Sequence, residues 1–132
     1  MMKLKLSRWM PMILTMALIF FLSMEQDPYR LLPIKMNNVL ENWLEFFGHF
    51  LEYTLLGFTA VRSIQWQRSS SMKISFFTFA LCLLYALSDE VHQYFVPHRT
   101  FQIHDLLVDS AGILLGLWLY QIYRNNKRSR KK

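Results

Sequence analysis

The stretch that decides the fold is residues 103–123, which read IHDLLVDSAGILLGLWLYQIY. Its second half, from Ala111 to Tyr120, is an unbroken apolar run. Two acids and two glycines recur along the stretch at three- and four-residue spacing, so in a helix they share one face. They are Asp105, Asp109, Gly112 and Gly116. Because glycines on such a face let a neighbouring helix approach closely, we expect the acids to point into a bundle.

Three further apolar runs precede this one, at about residues 9–24, 46–64 and 74–93. Backbone polar groups find no partners in lipid, so long apolar runs there form helices. A soluble helical bundle is the competing interpretation, but four such runs in 132 residues would leave almost no polar surface. The sequence therefore predicts an all-α fold, an integral membrane bundle of four transmembrane helices in residues 1–123, with a basic tail at 124–132.

The distribution of charge predicts the orientation in the membrane. Twelve of the fifteen Lys and Arg residues lie on the side that holds both termini and the 62–73 loop, and six of these are in the tail. All nine acids lie on or near the other side. The positive-inside rule then predicts a multi-pass protein of the cell membrane with both termini in the cytoplasm. The tail is expected to contact anionic lipid, and no pattern elsewhere indicates nucleic-acid binding.

Ionisable and amide side chains of three predicted helices fall at one depth, near the outer face. We call this set the polar cluster: His49, Glu52, Asp89, Glu90, Gln93, Asp105 and Asp109. A carboxylate inside a membrane is costly unless it is paired or protonated. A protonated acid beside an ionised one is the arrangement of general acid–base pairs. All members except Gln93 are therefore candidate catalytic residues, and Asp109, one turn deeper than Asp105, is the strongest.

Arg99 and Gln93 form the predicted substrate-binding set, because an arginine beside acids either pairs with them or holds a phosphate. Histidine and carboxylates also suit zinc, manganese or magnesium. Neither His-x-x-Glu-His nor His-Glu-x-x-His spacing occurs, so the sequence predicts no metal site, and it identifies no cofactor. A purely structural hydrogen bond between helices remains an alternative role for His49 and Glu52.

Most of these residues lie in three separated motifs. The motifs are HFLEY at 49–53 with Gly57, then SDEVHQ at 88–93 followed by FVP and Arg99, and finally DLLVD at 105–109 with Gly112. In this order and spacing they resemble the VanZ-like family, over about residues 9–123. The resemblance implies a bacterial polytopic membrane protein, typically of Gram-positive bacteria. Its name-giving member is linked to low-level resistance to the glycopeptide teicoplanin.

Several classes of function remain open at this point. The first is a membrane enzyme acting on a lipid-linked or cell-wall substrate at the outer leaflet, with Asp109 and Glu52 as acid and base. The second is a binding or shielding protein without turnover. A proton- or cation-coupled carrier is disfavoured because no polar track reaches the inner half, and a packing partner of a larger complex is the last class. The expected partners are the lipid bilayer and a lipid-linked cell-wall precursor, and the oligomeric state is not determined.

Overall fold

The computed structural model describes residues 2–24, 37–65, 71–97 and 102–130, with side chains from residue 7 onward. These residues form four helices, and the all-α prediction is confirmed. The helices are α1 (Met2–Met24), α2 (Asn38–Ile64), α3 (Met72–Tyr94) and α4 (Ile103–Ser129).

Two helices extend well beyond the apolar runs that predicted them. Helix α2 begins at Asn38 rather than near residue 46, because the side chain of Asn37 caps it by accepting from the backbone N–H of Leu40 at 3.0 Å. Helix α4 continues to Ser129, so most of the predicted tail is helical. Lysine and arginine in its last turn are favourable there, since a helix C-terminus carries partial negative charge.

Contacts at one end of the bundle establish the topology. The Arg8 guanidinium of α1 donates to the carbonyl of Ser63 in α2. Gln65, which caps α2, donates to Ser75 of α3 at 3.3 Å and accepts from Arg124 of α4 at 3.0 Å. The starts of α1 and α3 therefore lie beside the ends of α2 and α4, and successive helices run antiparallel. We call this the basic end and the opposite one the acidic end.

Helix α2 is the centre of the bundle, because it packs against all three other helices and most extensively against α4. Glycines make that approach possible. A Cβ atom added at Gly112 would lie 2.6 Å from the carbonyl oxygen of Phe50, and one at Gly116 would lie closer still to that of Thr54. The predicted close contact along the Gly112 and Gly116 face is therefore present.

Helices α1, α3 and α4 are long and apolar enough to cross a membrane, over Ser7–Met24, Met72–Tyr94 and Ile103–Ser129. These three helices indicate a helical membrane protein. The bundle also exposes a large apolar surface, as contact with lipid requires. Helix α2 has 27 residues, about 40 Å of helix, which is also sufficient length. Polar side chains in its exposed first turns, such as Glu41, and inside the bundle, such as His49, dilute its apolar character, so its role as a fourth span stays a prediction.

We predict that Gly116→Ala destabilises the bundle by about 1–3 kcal/mol, because the added methyl group overlaps the backbone of α2. Without that overlap the substitution would stabilise a helix by up to about 1 kcal/mol, so the sign of the change is informative. Unfolding by SDS in detergent micelles measures it. Leu114→Ala, at an exposed position of α4, is the control. A Gly116→Ala protein as stable as the wild type would contradict the tight packing.

We also predict that the basic end faces the cytoplasm, because cations concentrate there. Green fluorescent protein fused to the C-terminus is then fluorescent, and alkaline phosphatase fused there is inactive. Phosphatase fused after Pro97, beyond the acidic end of α3, is active. The reverse pattern of reporter activities would show that the orientation is inverted.

Candidate functional site

The acidic end brings together residues from the first half of α2, the last turns of α3 and the start of α4. Of the polar cluster, His49, Asp89, Glu90, Gln93 and Asp109 are buried, and Glu52 and Asp105 are half-buried. The buried polar side chains fall into two groups. We call them the His49 group (His49, Glu90, Asp105 and Asp109) and the Asp89 group (Ser23, Tyr53, Asp89 and Gln93).

The His49 group is built on a bond between α2 and α4. Nδ1 of His49 lies 3.0 Å from Oδ1 of Asp109, and the two residues are 8% and 0% exposed. When Asp109 is ionised, Nδ1 must be the donor, since a carboxylate only accepts. The bond fixes the ring and its tautomer, which leaves Nε2 as the nitrogen that can take a proton or bind a ligand.

Glu90 and Asp105 complete this group from α3 and α4. Oε2 of Glu90 accepts from the backbone N–H of Gln102 at 3.2 Å. One ligand atom each of His49, Glu90 and Asp105 lies within 4.8 Å of the other two. Among the described residues, Oε1 of Glu90 and Oδ2 of Asp109 are buried without a hydrogen-bond partner. Buried polar atoms normally have partners, so these two oxygens are available to a proton, a cation or a substrate.

The Asp89 group joins three helices. Oδ1 of Asp89 accepts from the Ser23 hydroxyl of α1 at 2.6 Å, and Oδ2 accepts from the Tyr53 hydroxyl at 3.3 Å and from Gln93 at 3.1 Å. A carboxylate with three donors needs no further partner. The geometry therefore favours a structural role for Asp89 and Gln93, beside the catalytic and substrate-binding roles that the sequence predicted for them.

Sequence reasoning missed Ser23 and Tyr53 as members of the site. Tyr53 follows His49 by four residues and so shares its face of α2, which is a usable signal. Ser23 gives only a weak signal, as a single hydroxyl near the end of an apolar run. Its role depends on how α1 packs against α3, which helical periodicity does not reveal.

Two predicted site residues, Glu52 and Arg99, are not members of either group as defined above. Glu52 was expected to act with Asp109, but the hydrogen-bond partner of Asp109 is His49. Glu52 lies nearly one turn further along α2, and its predicted role as acid or base stays a prediction. Arg99 lies outside the described residues, so its predicted role in binding substrate stays a prediction.

Comparison with known proteins gives one match. A family model described as VanZ/LLP1 matches residues 5–124, which include most or all of each of the four helices and every residue of the polar cluster. No curated protein and no solved structure matches significantly. The family resemblance that three sequence motifs predicted is confirmed.

We predict that Asp89→Asn lowers the free energy of unfolding by about 1.5–3 kcal/mol, because the amide turns a donor toward groups that themselves donate. Ser23→Ala should cost about 1 kcal/mol, since it removes one of the three bonds. SDS unfolding measures both changes. Ser88→Ala is the matched control, because that exposed hydroxyl bonds only within its own helix. If the wild type and the three variants were equally stable, Asp89 would not be holding the three helices together.

Proposed function

This chain belongs to the VanZ/LLP1 family, and we propose that it acts at the outer leaflet of the cell membrane on the polar headgroup of a lipid-linked cell-wall precursor. We further propose that this action lowers the effect of the glycopeptide teicoplanin, whose target is of that class. The observation that carries the proposal is the buried His49–Asp109 bond beside two carboxylate oxygens without partners in the described part of the chain.

That geometry suits proton transfer. A histidine held by a carboxylate through one ring nitrogen offers the other as a general base, and general acid–base catalysis contributes about 10²–10⁴-fold to a rate. Ionisable groups are expensive inside a membrane and commonly mark functional sites there. In this proposal His49 accepts a proton from the headgroup, Asp109 orients it, and Glu90, whose carboxylate lies near His49, returns a proton.

An apolar cavity supports a lipid-linked substrate. It has a volume of about 160 Å³ and lies between α1, α2 and α3, lined among others by Met12, Leu56, Leu81 and Tyr85. Tyr85 precedes Asp89 by four residues on α3, so the cavity lies about one turn from the Asp89 group, toward the basic end. A lipid-linked molecule would fit with its apolar chain in this cavity and its headgroup at the polar cluster of the acidic end.

A carrier is less well supported than an enzyme or a binding protein. Buried hydroxyls of Thr15, Thr59 and Ser63 do lie between the acidic and basic ends. Each of them donates to a carbonyl of its own helix, at 2.8 Å in all three cases. The contact between the hydroxyls of Thr59 and Thr15 is longer, at 3.5 Å, so the backbone carbonyls compete for these protons, which disfavours a continuous proton path along this row.

We predict that Asp109→Asn and His49→Gln remove a teicoplanin-protection phenotype of the wild type while the protein stays in the membrane. Minimum inhibitory concentration and immunoblots of membrane fractions measure the two properties. Glu41→Gln, at an exposed acid in the first turn of α2, is the matched control and keeps the phenotype. Protection that survives both substitutions would contradict a role for the His49 group, and a wild type without protection would contradict the resistance role.

Turnover separates an enzyme from a shielding protein. A substoichiometric amount of the purified protein in micelles is incubated with radiolabelled lipid-linked precursor. The products are then separated by chromatography. Conversion of more than one precursor per chain, reduced about 10²-fold or more in His49→Gln, supports the enzyme. Stoichiometric retention of unchanged precursor supports the binding protein instead.

A further inference from the structure

We propose that the acidic end binds one divalent cation between α2, α3 and α4, with His49, Glu90 and Asp105 as its ligands. This site does not depend on the proposed proton transfer, and it is an alternative use of Nε2 of His49, which cannot bind a cation and accept a proton at the same time. The three ligand atoms lie within 4.8 Å of one another. Metal–ligand bonds of about 2.0–2.2 Å in tetrahedral geometry place ligand atoms about 3.3–3.6 Å apart, so a movement of up to about 1.5 Å by the half-buried Asp105 side chain would close the site.

A second observation points to a cation rather than to a cluster of acids alone. Glu90 is 0% exposed, and its Oε1 has no hydrogen-bond partner in the described segments. Its Oε2 accepts from the N–H of Gln102, which holds the carboxylate and leaves Oε1 as the ligand atom. A buried carboxylate oxygen without a donor is unfavourable, and one cation satisfies Glu90 and Asp105 together where a proton satisfies a single atom.

Asp109, which is hydrogen-bonded to one ring nitrogen of His49, also supports a cation site. Asp109 holds Nδ1 of His49 at 3.0 Å, which directs Nε2 toward a ligand. A carboxylate that bonds the free ring nitrogen of a metal-binding histidine is the usual support of such a ligand. Asp109 is therefore a positioning residue for this site. The neighbouring Asp89 does not take part, because Ser23, Tyr53 and Gln93 occupy its oxygens.

The ligand chemistry selects the kind of ion. One imidazole with two carboxylates suits Zn²⁺ or Mn²⁺ better than Mg²⁺ or Ca²⁺, which prefer all-oxygen sites. Motif spacing along the chain could not reveal this site, because its ligands come from three different helices. A cation here would also offset the mutual repulsion of the acids and let an acidic surface hold a phosphate-bearing headgroup.

Metal content after equilibrium dialysis tests the site. The full chain in micelles is stripped with EDTA and dialysed against Zn²⁺ alone or Mn²⁺ alone, and bound metal is measured by mass spectrometry. We expect about one ion per chain, with Kd raised at least tenfold by Glu90→Gln and by Asp105→Asn. Asp109→Asn should raise Kd about 10–100-fold. Glu41→Gln is the control and keeps the wild-type Kd.

A spectroscopic measurement on the wild type avoids dependence on folding of the variants. Mn²⁺ bound to His49 should show a nitrogen coupling in electron spin-echo experiments. No bound metal, unchanged Kd in both Glu90→Gln and Asp105→Asn, or bound Mn²⁺ without nitrogen coupling would each overturn the site. Since none of these readouts involves teicoplanin or a precursor, they leave the test of the proposed function separate.

Discussion

The close approach of α2 and α4 is the constraint on which the rest of the structure depends. Gly112 and Gly116 let the backbone of α4 lie against that of α2 around Phe50 and Thr54. Asp109 precedes Gly112 by three residues and His49 precedes Phe50 by one, so the same contact that joins the backbones aligns these two side chains at 3.0 Å. Packing energy between helices thus supports a buried polar pair that would be costly to assemble in lipid by itself.

Around this contact two neighbouring acids, Asp89 and Glu90, lie in different environments. Asp89 has its hydrogen bonds filled by donors from three helices and stabilises the packing of α1. Glu90, the next residue, turns toward α4 and keeps an oxygen without a partner in the described part of the chain. The contrast follows from helical geometry, since neighbouring residues point about 100° apart. The geometry thus favours a structural role for Asp89 and leaves Glu90 an oxygen that can take a proton or a cation.

Much of this could be predicted from the sequence, because helical periodicity and charge asymmetry are local signals. The stripe from Asp105 to Gly116 gave the buried face of α4, and three motifs gave the family. The pairing of His49 with Asp109 rather than of Glu52 with Asp109 could not be predicted, because it depends on the axial offset of two helices. The role of Ser23 likewise needs the packing of α1, and the start of α2 depends on capping by Asn37 rather than on apolarity.

His49 and Asp109 form one coupled unit in this structure, and a double-mutant cycle measures that coupling. The free energy of unfolding is measured for the wild type, His49→Gln, Asp109→Asn and the double variant. Residues in direct contact show interaction energies of about 0.5–3 kcal/mol, and the account predicts a coupling of at least about 1 kcal/mol. Additive effects, within about 0.3–0.5 kcal/mol, would show that the two side chains do not interact.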